Sequence, residues 1–594
     1  MIKRSLLFTV MYSASLFVNA SYAHATTQNA LKIVKADSIT ANVTREEENS
    51  QTPSRAKNKP LMAGYYLASR FAQSKHDWSN ASTFIQPLLS SELSKEEITQ
   101  RAMVIAMGAG QTKRALELAH KMNATKTDNR NTIADTFLTI EAFKDKNYTE
   151  AQKIFNTMSP DATSVFIGPF VEGWLSAAQE KVNIRNLRQN TVQLYHGILI
   201  SDFLDDHKDI EEMIDKSLNV EDISLSELDR IAALYAHVGL KEKALKLYDK
   251  VNKGFPDDPI VKASIENIKN GTVEPLFTKV ENPQEGMALA FYDISHILYN
   301  EENTDSARVF AHLAKYLSPD FSQPNFLLAE INTKYKQYDK AIALYEDISK
   351  NDKNYKQAQY KIVDVYDLTS QYDKALKVLG KLAKDEQKPD ALIRIGDLYR
   401  HQSKYTKALE LYNRAIKAMD NKVPDDYWHV YYVRGIAYEQ TDNWEAAEKD
   451  LKKALSYQPD HPYVLNYLGY SWADKGKNLD DATDMIQRAV DARPTDGYIT
   501  DSLGWVMYRN TDYTNAVATL ERAVELLPYD PTINDHLGDA YWKVGRQLEA
   551  RFQWERAKNH SKDEKQISAI SQKLASGLKD SKDSSDKAHG IIAH

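Results

Sequence analysis

The chain has no cysteine and few helix-breaking residues. Its 594 residues include 21 glycines and 18 prolines. The absence of cysteine excludes disulfides, thiolate zinc sites, cysteine nucleophiles and a lipid-modified cysteine. Sparse glycine and proline, together with 42% hydrophobic residues, favour a helical chain with enough apolar material for a continuous core.

Long apolar runs and catalytic signatures are also missing. Beyond residue 18, no stretch reaches the roughly 18 to 20 apolar residues of a transmembrane helix. The HExxH, GxxxxGK[ST], GxSxG and calcium-loop patterns are absent, and Gly108-Ala109-Gly110 and Gly476-Lys477 fit turns between helices better than phosphate loops. We therefore expect no enzyme activity, no cofactor and no metal site.

The charges of the chain are nearly balanced. There are 76 basic and 83 acidic residues, which gives a net charge of -7. This balance gives no electrostatic reason to expect a nucleic acid or an anionic membrane as a partner. Any association with a membrane is expected to be peripheral and to run through a partner protein.

The N-terminus has the pattern of a secretory signal. Lys3 and Arg4 precede an apolar run from Leu6 to Val18, which is followed by Ala23-His24-Ala25. A basic start, an apolar core and small residues of the A-x-A type predict a signal peptide at residues 1–25, cut after Ala25 or Ala23. The alternative interpretation is an uncleaved N-terminal anchor.

The chain contains a repeat of about 34 residues. Gly435, Gly469, Gly504 and Gly538 are separated by 34, 35 and 34 residues, and Ala307, Ala341, Ala375 and Ala408 by 34, 34 and 33. Such a period indicates stacked helical hairpins, with small residues where two helices touch and large residues between neighbours. One unit reads Leu503, Gly504, Met507, Tyr513, Ala516, Leu520, Ala523 and Pro528.

This pattern resembles the tetratricopeptide repeat. The resemblance implies an all-α tetratricopeptide-repeat solenoid, a right-handed superhelix of antiparallel helix pairs, with about 10–12 units in two arrays. It also implies that the first helix of each pair, called helix A below, lines a concave groove.

Composition and helix breakers divide the chain further. The irregular joint is placed by Gly271, Pro275, Pro283 and Gly286, and the capping helix by Ile567, Ile570 and Leu574 on one face. The predicted segments are a disordered linker at 26–60, a degenerate N-terminal array at 61–258, the joint at 259–285, a C-terminal array at 286–559, the capping helix at 560–576 and a disordered tail at 577–594.

The helix A positions of the C-terminal array give the candidate protein-binding groove. Aromatic residues and arginine dominate it, as in binding hot spots, although each aromatic ring could instead pack between helices. The predicted groove residues are Arg400, His401, His429, Tyr432, Tyr463, Asn466, Tyr470, Asp474, Tyr498, Asp501, Trp505, Tyr508, Arg509, Asp535, Asp539, Trp542 and Lys543.

The groove departs from the two-carboxylate clamp known in the family. The clamp uses lysine and asparagine at positions that are held here by Tyr470, Trp505 and Asp539. A mixed aromatic and acidic groove favours a ligand with apolar and basic groups.

A narrower resemblance rests on three segments, 465–470, 501–505 and 534–542. They are similar to a bacterial group of exported tetratricopeptide proteins, one branch of which includes an outer-membrane lipoprotein adaptor. That adaptor binds a carboxyl-terminal processing protease and helps it to degrade cell-wall hydrolases. The resemblance implies a periplasmic adaptor, peripheral to the outer or inner membrane, with protein or peptide clients and such a protease as a candidate partner. The chain departs from this group because it lacks the lipid-bearing cysteine.

A second function fits the same residues. Trp505 and Trp542 could stack on sugar rings, with Asp501 and Asp539 bonding to hydroxyl groups. The alternative to a protein-binding scaffold is therefore a module that binds glycans of the cell envelope.

Overall fold

The fold was described from a computed structural model. It describes residues 62–90, 96–124, 130–206, 210, 212–213, 225–254, 259–272, 279–382 and 389–578. These residues contain 28 α-helices and no strand, which confirms the predicted all-α class. The predicted signal peptide, the linker at 26–60 and the tail beyond residue 578 lie outside the described residues.

By packing, the chain divides into two compact units, Met1–Val365 and Tyr366–His594. The first unit contains α1 (Met62–Ser74), α2 (Trp78–Leu89), α3 (Glu96–Gly108), α4 (Thr112–Asn123), α5 (Thr132–Lys144), α6 (Tyr148–Asn156), α7 (Ala162–Ala177), α8 (Thr191–Phe203), α9 (Leu225–His237), α10 (Lys241–Gly254), α11 (Pro259–Asn270), α12 (Pro283–Asn300), α13 (Thr304–Leu317), α14 (Gln323–Lys334) and α15 (Tyr338–Glu346). Helix α16 (Tyr355–Leu368) runs across the division.

The second unit continues with α17 (Tyr372–Leu382), α18 (Pro389–His401), α19 (Tyr405–Ala418), α20 (His429–Glu439), α21 (Trp444–Tyr457), α22 (Pro462–Asp474), α23 (Leu479–Ala492), α24 (Gly497–Arg509), α25 (Tyr513–Leu526), α26 (Pro531–Lys543), α27 (Gln547–His560) and α28 (Glu564–Ser576). A short 3₁₀ helix, Asp425–Tyr427, precedes α20. Helix α28 lies within the predicted capping segment and packs on α27.

That residues 259–285 form a joint between two arrays stays a prediction. Its first part, Pro259–Asn270, is helical rather than irregular, and residues 273–278 lie outside the described part. The predicted joint and the division after Val365 differ because glycine and proline mark breaks between helices, whereas compact units follow from packing between helices.

Successive helices pack as hairpins that are joined by short turns. The tightest pairs include α12 with α13, α18 with α19, α24 with α25 and α26 with α27. The turns place one residue in the left-handed region of φ, as at Glu302, Lys336, Ser370 and Ser403, at the same 34- or 33-residue interval as the repeat. The repeat in the sequence is thus a repeat of one hairpin with one turn conformation.

The repeated glycines let helix A approach the second helix of its hairpin, helix B. A Cβ atom on Gly538 would lie 2.4 Å from Trp554 Cδ1, far inside van der Waals contact. The same close approach pairs Gly396 with Tyr412, Gly435 with Leu451, Gly469 with Ile486 and Gly504 with Leu520.

The first unit folds back on its own start. Helices α12 and α13 pack against α3, α5, α7 and α8, and one apolar core runs from Ala72 to Ile331. Three residues at 34-residue intervals, two in turns and one at the end of α5, contact later helices or the turns that follow them. His76 stacks on Tyr335 at 3.5 Å between ring centroids, Gly110 lies against the His312 ring, and the Lys144 ammonium lies 3.8 Å from the Tyr316 ring centroid.

A buried polar cluster joins α7, α8, α9 and α12 in this unit. The indole N–H of Trp174 donates to His196 Nδ1 at 3.2 Å, and His196 Nε2 lies 3.1 Å from Asp293. Arg230 donates two bonds of 2.9 Å to Asp293. Burial alone would raise the pKa of Asp293, but Arg230 and His196 lower it to about 2, whereas burial lowers the pKa of His196. All four groups are mutually satisfied, so we assign the cluster to packing.

No helix in the described ranges is long and apolar enough to span a bilayer.

The close approach at Gly538 gives the first prediction. Gly538→Ala should destabilise the protein by about 1–3 kcal/mol, because the added methyl group overpacks the contact with Trp554. Gly380→Ala is the matched control, since nothing lies within 4 Å of its Cβ position inside α17. That change should stabilise by about 0.5–1 kcal/mol through helix propensity. Thermal unfolding followed by circular dichroism measures both, and equal shifts of the two midpoints would contradict the packing argument.

Buried His312 gives the second prediction. Burial, with Arg308 and Lys315 nearby, lowers the pKa of His312 to about 3, compared with about 6.5 in an unfolded chain. As pH falls below 6.5 the unfolded chain takes up a proton that the folded chain does not, so stability is lost down to about pH 3. His312→Gln should remove roughly 2–3 kcal/mol of the loss between pH 6.5 and 4.5. Urea unfolding at both pH values measures this, with His560→Gln, at an exposed position, as the control.

Candidate functional site

The candidate groove is built from the A helices of the second unit, α18, α20, α22, α24 and α26. Helix α24 packs directly against both α22 and α26. Local sequence fixes where they begin: Pro462 and Pro531 occupy the first turns of α22 and α26, and the carboxylate of Asp496 accepts from Tyr498 N and Ile499 N at the start of α24.

The predicted groove residues differ widely in exposure. Tyr463 and Tyr498 are 39% and 45% exposed, and His401 is also exposed. The remaining residues are half-buried or buried. Half-buried are Arg400, His429, Tyr432, Asp474, Tyr508, Arg509, Asp535, Trp542 and Lys543, and buried are Asn466, Tyr470, Asp501, Trp505 and Asp539.

Charged groove residues pair across neighbouring A helices. A carboxylate on one helix meets a basic side chain 34 to 36 positions later, on the next helix or directly after it. The pairs are Asp367 with His401 at 2.7 Å, Glu439 with Lys475 at 3.5 Å, Asp474 with Arg509 at 3.6 Å, Asp501 with His536 at 3.0 Å and Asp539 with Lys573 at 2.8 Å. We call this series the inter-helix charge ladder.

Trp505 is the centre of a packed cluster between α24 and α26. Its ring stacks on Tyr508 with centroids 4.9 Å apart and on His536 with centroids 4.1 Å apart. Both carboxylate oxygens of Asp501 lie 3.0 Å from His536 Nδ1. Burial alone would lower the pKa of His536, but Asp501 raises it above its usual value. The Asp501 carboxylate thus favours proton binding at His536, and their contact joins the two helices.

Tyrosines on α20 and α22 lie in an apolar environment. Tyr432 contacts Tyr467 edge to face at 6.1 Å, and burial raises the pKa of Tyr432 to about 12. Burial, with Asp501 and Asp474 nearby, also raises the pKa of Tyr470. These hydroxyl groups stay protonated at neutral pH and are available only as neutral hydrogen-bonding groups.

The acidic end of the groove is already occupied by the chain itself. Lys573 Nζ, from α28, lies 2.8 Å from Asp535 Oδ1 and 2.8 Å from Asp539 Oδ2. Trp554 Nε1 donates to the other Asp539 oxygen at 2.8 Å. Burial raises the pKa of Asp539 to about 6; burial alone would lower the pKa of Lys573, but the two carboxylates raise it. Trp542 packs on Trp554 with centroids 5.3 Å apart.

The first two predicted residues and His429 lie apart from this cluster. Arg400 Nη2 lies 2.9 Å from His401 Nε2, and the Arg400 side chain is largely covered. His429 stacks near Tyr427 at the start of α20, with centroids 6.1 Å apart. The structure therefore brings the α22, α24 and α26 residues together and leaves those of α18 as a separate packing contact.

Several buried polar atoms in the described part of the chain have no hydrogen-bond partner, among them two on the neighbouring helices α22 and α24. These two are Asn466 Oδ1 on α22 and Trp505 Nε1 on α24. Buried polar groups are nearly always paired, so each such atom needs an explanation. Asn466 shares its helix face with exposed Tyr463, one turn earlier, and Trp505 lies two turns after exposed Tyr498.

Sequence reasoning missed several groups that complete this surface. His536 and Lys573 neutralise predicted groove carboxylates, and Glu439 and Lys475 form another step of the ladder. The signal that could have found them is a pair of opposite charges 34 to 36 residues apart at helix A positions. A pattern taken within one repeat does not show such pairs, because the partners lie in adjacent repeats.

Comparison with known proteins agrees with this architecture. Two tetratricopeptide-repeat family models match residues 387–460 and 432–497. A curated relative, the TPR repeat-containing protein PA4667 of Pseudomonas aeruginosa, is 27% identical over 196 residues, which are 32% of this chain and 32% of that protein. The chain thus spans about a third of the length of this relative.

Solved structures with similar folds include TTC0263, a thermophilic TPR protein of Thermus thermophilus. It is 20% identical, and the match covers 32% of this chain and 99% of that one with a TM-score of 0.28. The Cut9–Hcn1 hetero-tetramer of the APC/C is 13% identical, and the match covers 87% of this chain and 96% of that one with a TM-score of 0.40. The chain therefore contains tetratricopeptide repeats between residues 387 and 497, built into an all-α solenoid of helix pairs.

Proposed function

We propose that this protein is a non-enzymatic scaffold that binds an extended protein segment on the A-helix face of α22 and α24. The observation that carries the proposal is the pair of unpartnered buried atoms, Asn466 Oδ1 and Trp505 Nε1, beside exposed Tyr463 and Tyr498. One atom accepts and the other donates a hydrogen bond, which matches the N–H and C=O groups of a peptide backbone. Solenoid repeats present such extended concave surfaces.

Access to the two atoms requires a small rearrangement. Both atoms are covered in the free protein, so a ligand reaches them only when a nearby side chain changes rotamer. Rotamer changes at an interface are common on binding and need no movement of the backbone. The exposed tyrosines add large contact areas at low entropic cost.

The expected ligand is uncharged at this surface. The mixed aromatic and acidic groove in the sequence, which includes Asp501 and Asp539, predicts a ligand with apolar and basic groups. In the structure His536 lies beside the first carboxylate and Lys573 beside the second, so each of the two carboxylates already has a basic partner within the chain. We therefore propose a neutral, partly aromatic or aliphatic peptide segment in place of a basic one.

The glycan alternative is less well supported by these residues. A sugar ring needs an open aromatic face for stacking, but Trp505 is only 8% exposed between its neighbours. Trp542 packs on Trp554, and the Trp542 ring lies against the backbone at Gly577. We therefore do not carry the glycan function further.

The cellular setting is also part of the proposal. We place the protein in the bacterial periplasm, where it links a client to an envelope protease or assembly factor and raises the local concentration of one beside the other. Support comes from the signal-like residues 1–25 and from the resemblance of the last third to exported adaptors. Osmotic-shock fractionation with N-terminal sequencing tests this: the protein should be released with Thr26 or His24 first, and retention in the cytoplasm would contradict it.

The two exposed tyrosines provide the direct test of the site. Peptides selected by phage display against the chain from residue 26 should bind the Tyr463→Ala/Tyr498→Ala double variant at least about tenfold more weakly, because each ring contributes about 1–2 kcal/mol as an interface anchor. Tyr529→Ala is the matched control, since this tyrosine is 70% exposed but lies outside α22 and α24. Fluorescence anisotropy measures both. The proposal would be rejected if Tyr529→Ala lost as much peptide affinity as the double variant, or if no peptide were selected.

Salt dependence tests the chemistry of the ligand. Because the ladder pairs the charges of the groove, affinity for a selected peptide should change less than about twofold between 50 and 500 mM salt. A basic ligand held by free carboxylates would instead weaken steeply over this range. The same anisotropy titration, repeated at three salt concentrations, separates the two cases.

A further inference from the structure

The last step of the inter-helix charge ladder differs from the others in the helix that supplies the cation. In the earlier steps the basic residue lies on, or directly after, a helix A that is followed by its own helix B. At α26 the cation is Lys573 of α28, the last helix of the described residues, which follows α27 after the short turn Ser561–Asp563. Helix α28 therefore takes the place that the helix A of a following repeat would take.

This place has the chemistry of a lysine subsite. Asp535 and Asp539 lie one turn apart on α26 and hold the ammonium at 2.8 Å each. The indole of Trp554 fixes the second oxygen of Asp539. Two carboxylates around one ammonium leave an excess negative charge. Without the ammonium, two neighbouring buried carboxylates would have no counter-charge, so the empty subsite is strongly unfavourable.

The end of α28 is shaped to the same surface. The helix stops at Gly577, whose φ of 73° is left-handed, and a Cβ there would lie 2.1 Å from Trp542. Glycine, which has no Cβ, adopts this positive φ readily and permits such an approach. Ile570, one turn before Lys573, is fully buried. The residues of α28 that fit this surface are thus Ile570, Lys573 and Gly577.

The rest of α28 is held weakly. Ile570 is its one buried residue, whereas α26 buries eight. Leu574 is partly buried against the apolar cluster of α25, α26 and α27. Polar links join Gln566 to Thr532 at 3.3 Å and Arg551 to the Leu574 carbonyl. A helix with so few buried apolar contacts belongs to the part of a structure that opens at low free-energy cost.

We propose that α28 is a displaceable occupant of this subsite and that a partner protein replaces it with a helix of the pattern Ile-x-x-Lys-x-x-x-Gly. This inference rests on the proposed function, because it takes the A-helix face as the binding surface. It extends that surface to α26 and names a different ligand: a helix carrying one lysine, bound by two carboxylates, in contrast to the neutral extended segment at α22 and α24.

The test uses the full chain and a labelled peptide of its own residues 562–578. In the native chain the tethered α28 competes at an effective concentration of the order of millimolar, so the probe should bind poorly. Ile570→Glu in the chain should undock α28, leave Asp535 and Asp539 in place and tighten probe binding at least about tenfold. A probe carrying K573M should lose at least about tenfold of that affinity, because the carboxylates are left unpaired. Equal binding to native and variant chains, or equal binding of both probes, would overturn the proposal.

Hydrogen exchange on the native chain gives a second reading that needs no variant. Amides of α28 should exchange at least about tenfold faster than those of α27, as expected for a helix that opens by itself. Equal protection of α27 and α28 would make α28 an integral part of the fold and end the proposal. A concentration-dependent dimer of the native chain would also overturn it, in favour of exchange of α28 between copies.

The two binding proposals can fail separately. Adding Tyr463→Ala/Tyr498→Ala to the Ile570→Glu chain should leave probe binding unchanged, because those tyrosines lie on α22 and α24. Loss of peptide binding at the tyrosines with retained probe binding would reject only the proposed α22–α24 site. The reverse result would reject only the lysine subsite.

Discussion

The close approach of paired helices at glycine is the constraint on which the rest of this structure depends. At Gly396, Gly469, Gly504 and Gly538 the backbone of helix A approaches a large side chain of helix B so closely that a Cβ would clash, and at Gly435 the contact is tight. The close approach fixes the distance and the relative rotation of the two helices in each hairpin. Because the hairpins are alike, each helix A then meets the next one in the same register, and this register makes the 34- to 36-residue charge pairs possible.

The charge ladder determines what the groove can recognise. Carboxylates that look available in the sequence are neutralised by cations of the neighbouring helix, as for Asp474 with Arg509. In the proposed groove, the groups left for a ligand are the tyrosine surface, unpartnered polar atoms such as Asn466 Oδ1 and Trp505 Nε1, and one occupied acidic subsite at the end. The proposed binding surface and the contacts between repeats therefore use the same helix faces, and we propose that specificity lies in the positions where pairing is incomplete.

The first unit is built from similar hairpins, but its helices are more completely covered by one another. Its A helices bury residues on nearly every side, as α8 does from Gln193 to Ser201, because α12 and α13 pack against them. The buried Trp174, His196 and Asp293 chain joins three of these helices. The large exposed tyrosines Tyr463 and Tyr498 lie in the second unit, and for that reason the proposed ligand site is placed there.

The sequence by itself determined the all-α fold, the repeat and the glycine positions, because these depend on contacts within one hairpin that recur at a constant spacing. It also identified which helices carry aromatic and charged residues. Only the tertiary structure decided that Trp505 is packed between Tyr508 and His536, that Lys573 fills the Asp535 and Asp539 pair, and that α12 and α13 cover the first array. The physical reason is that burial and charge pairing depend on side chains from different repeats. A pattern within one repeat does not show which side chains of the other repeats will contact it.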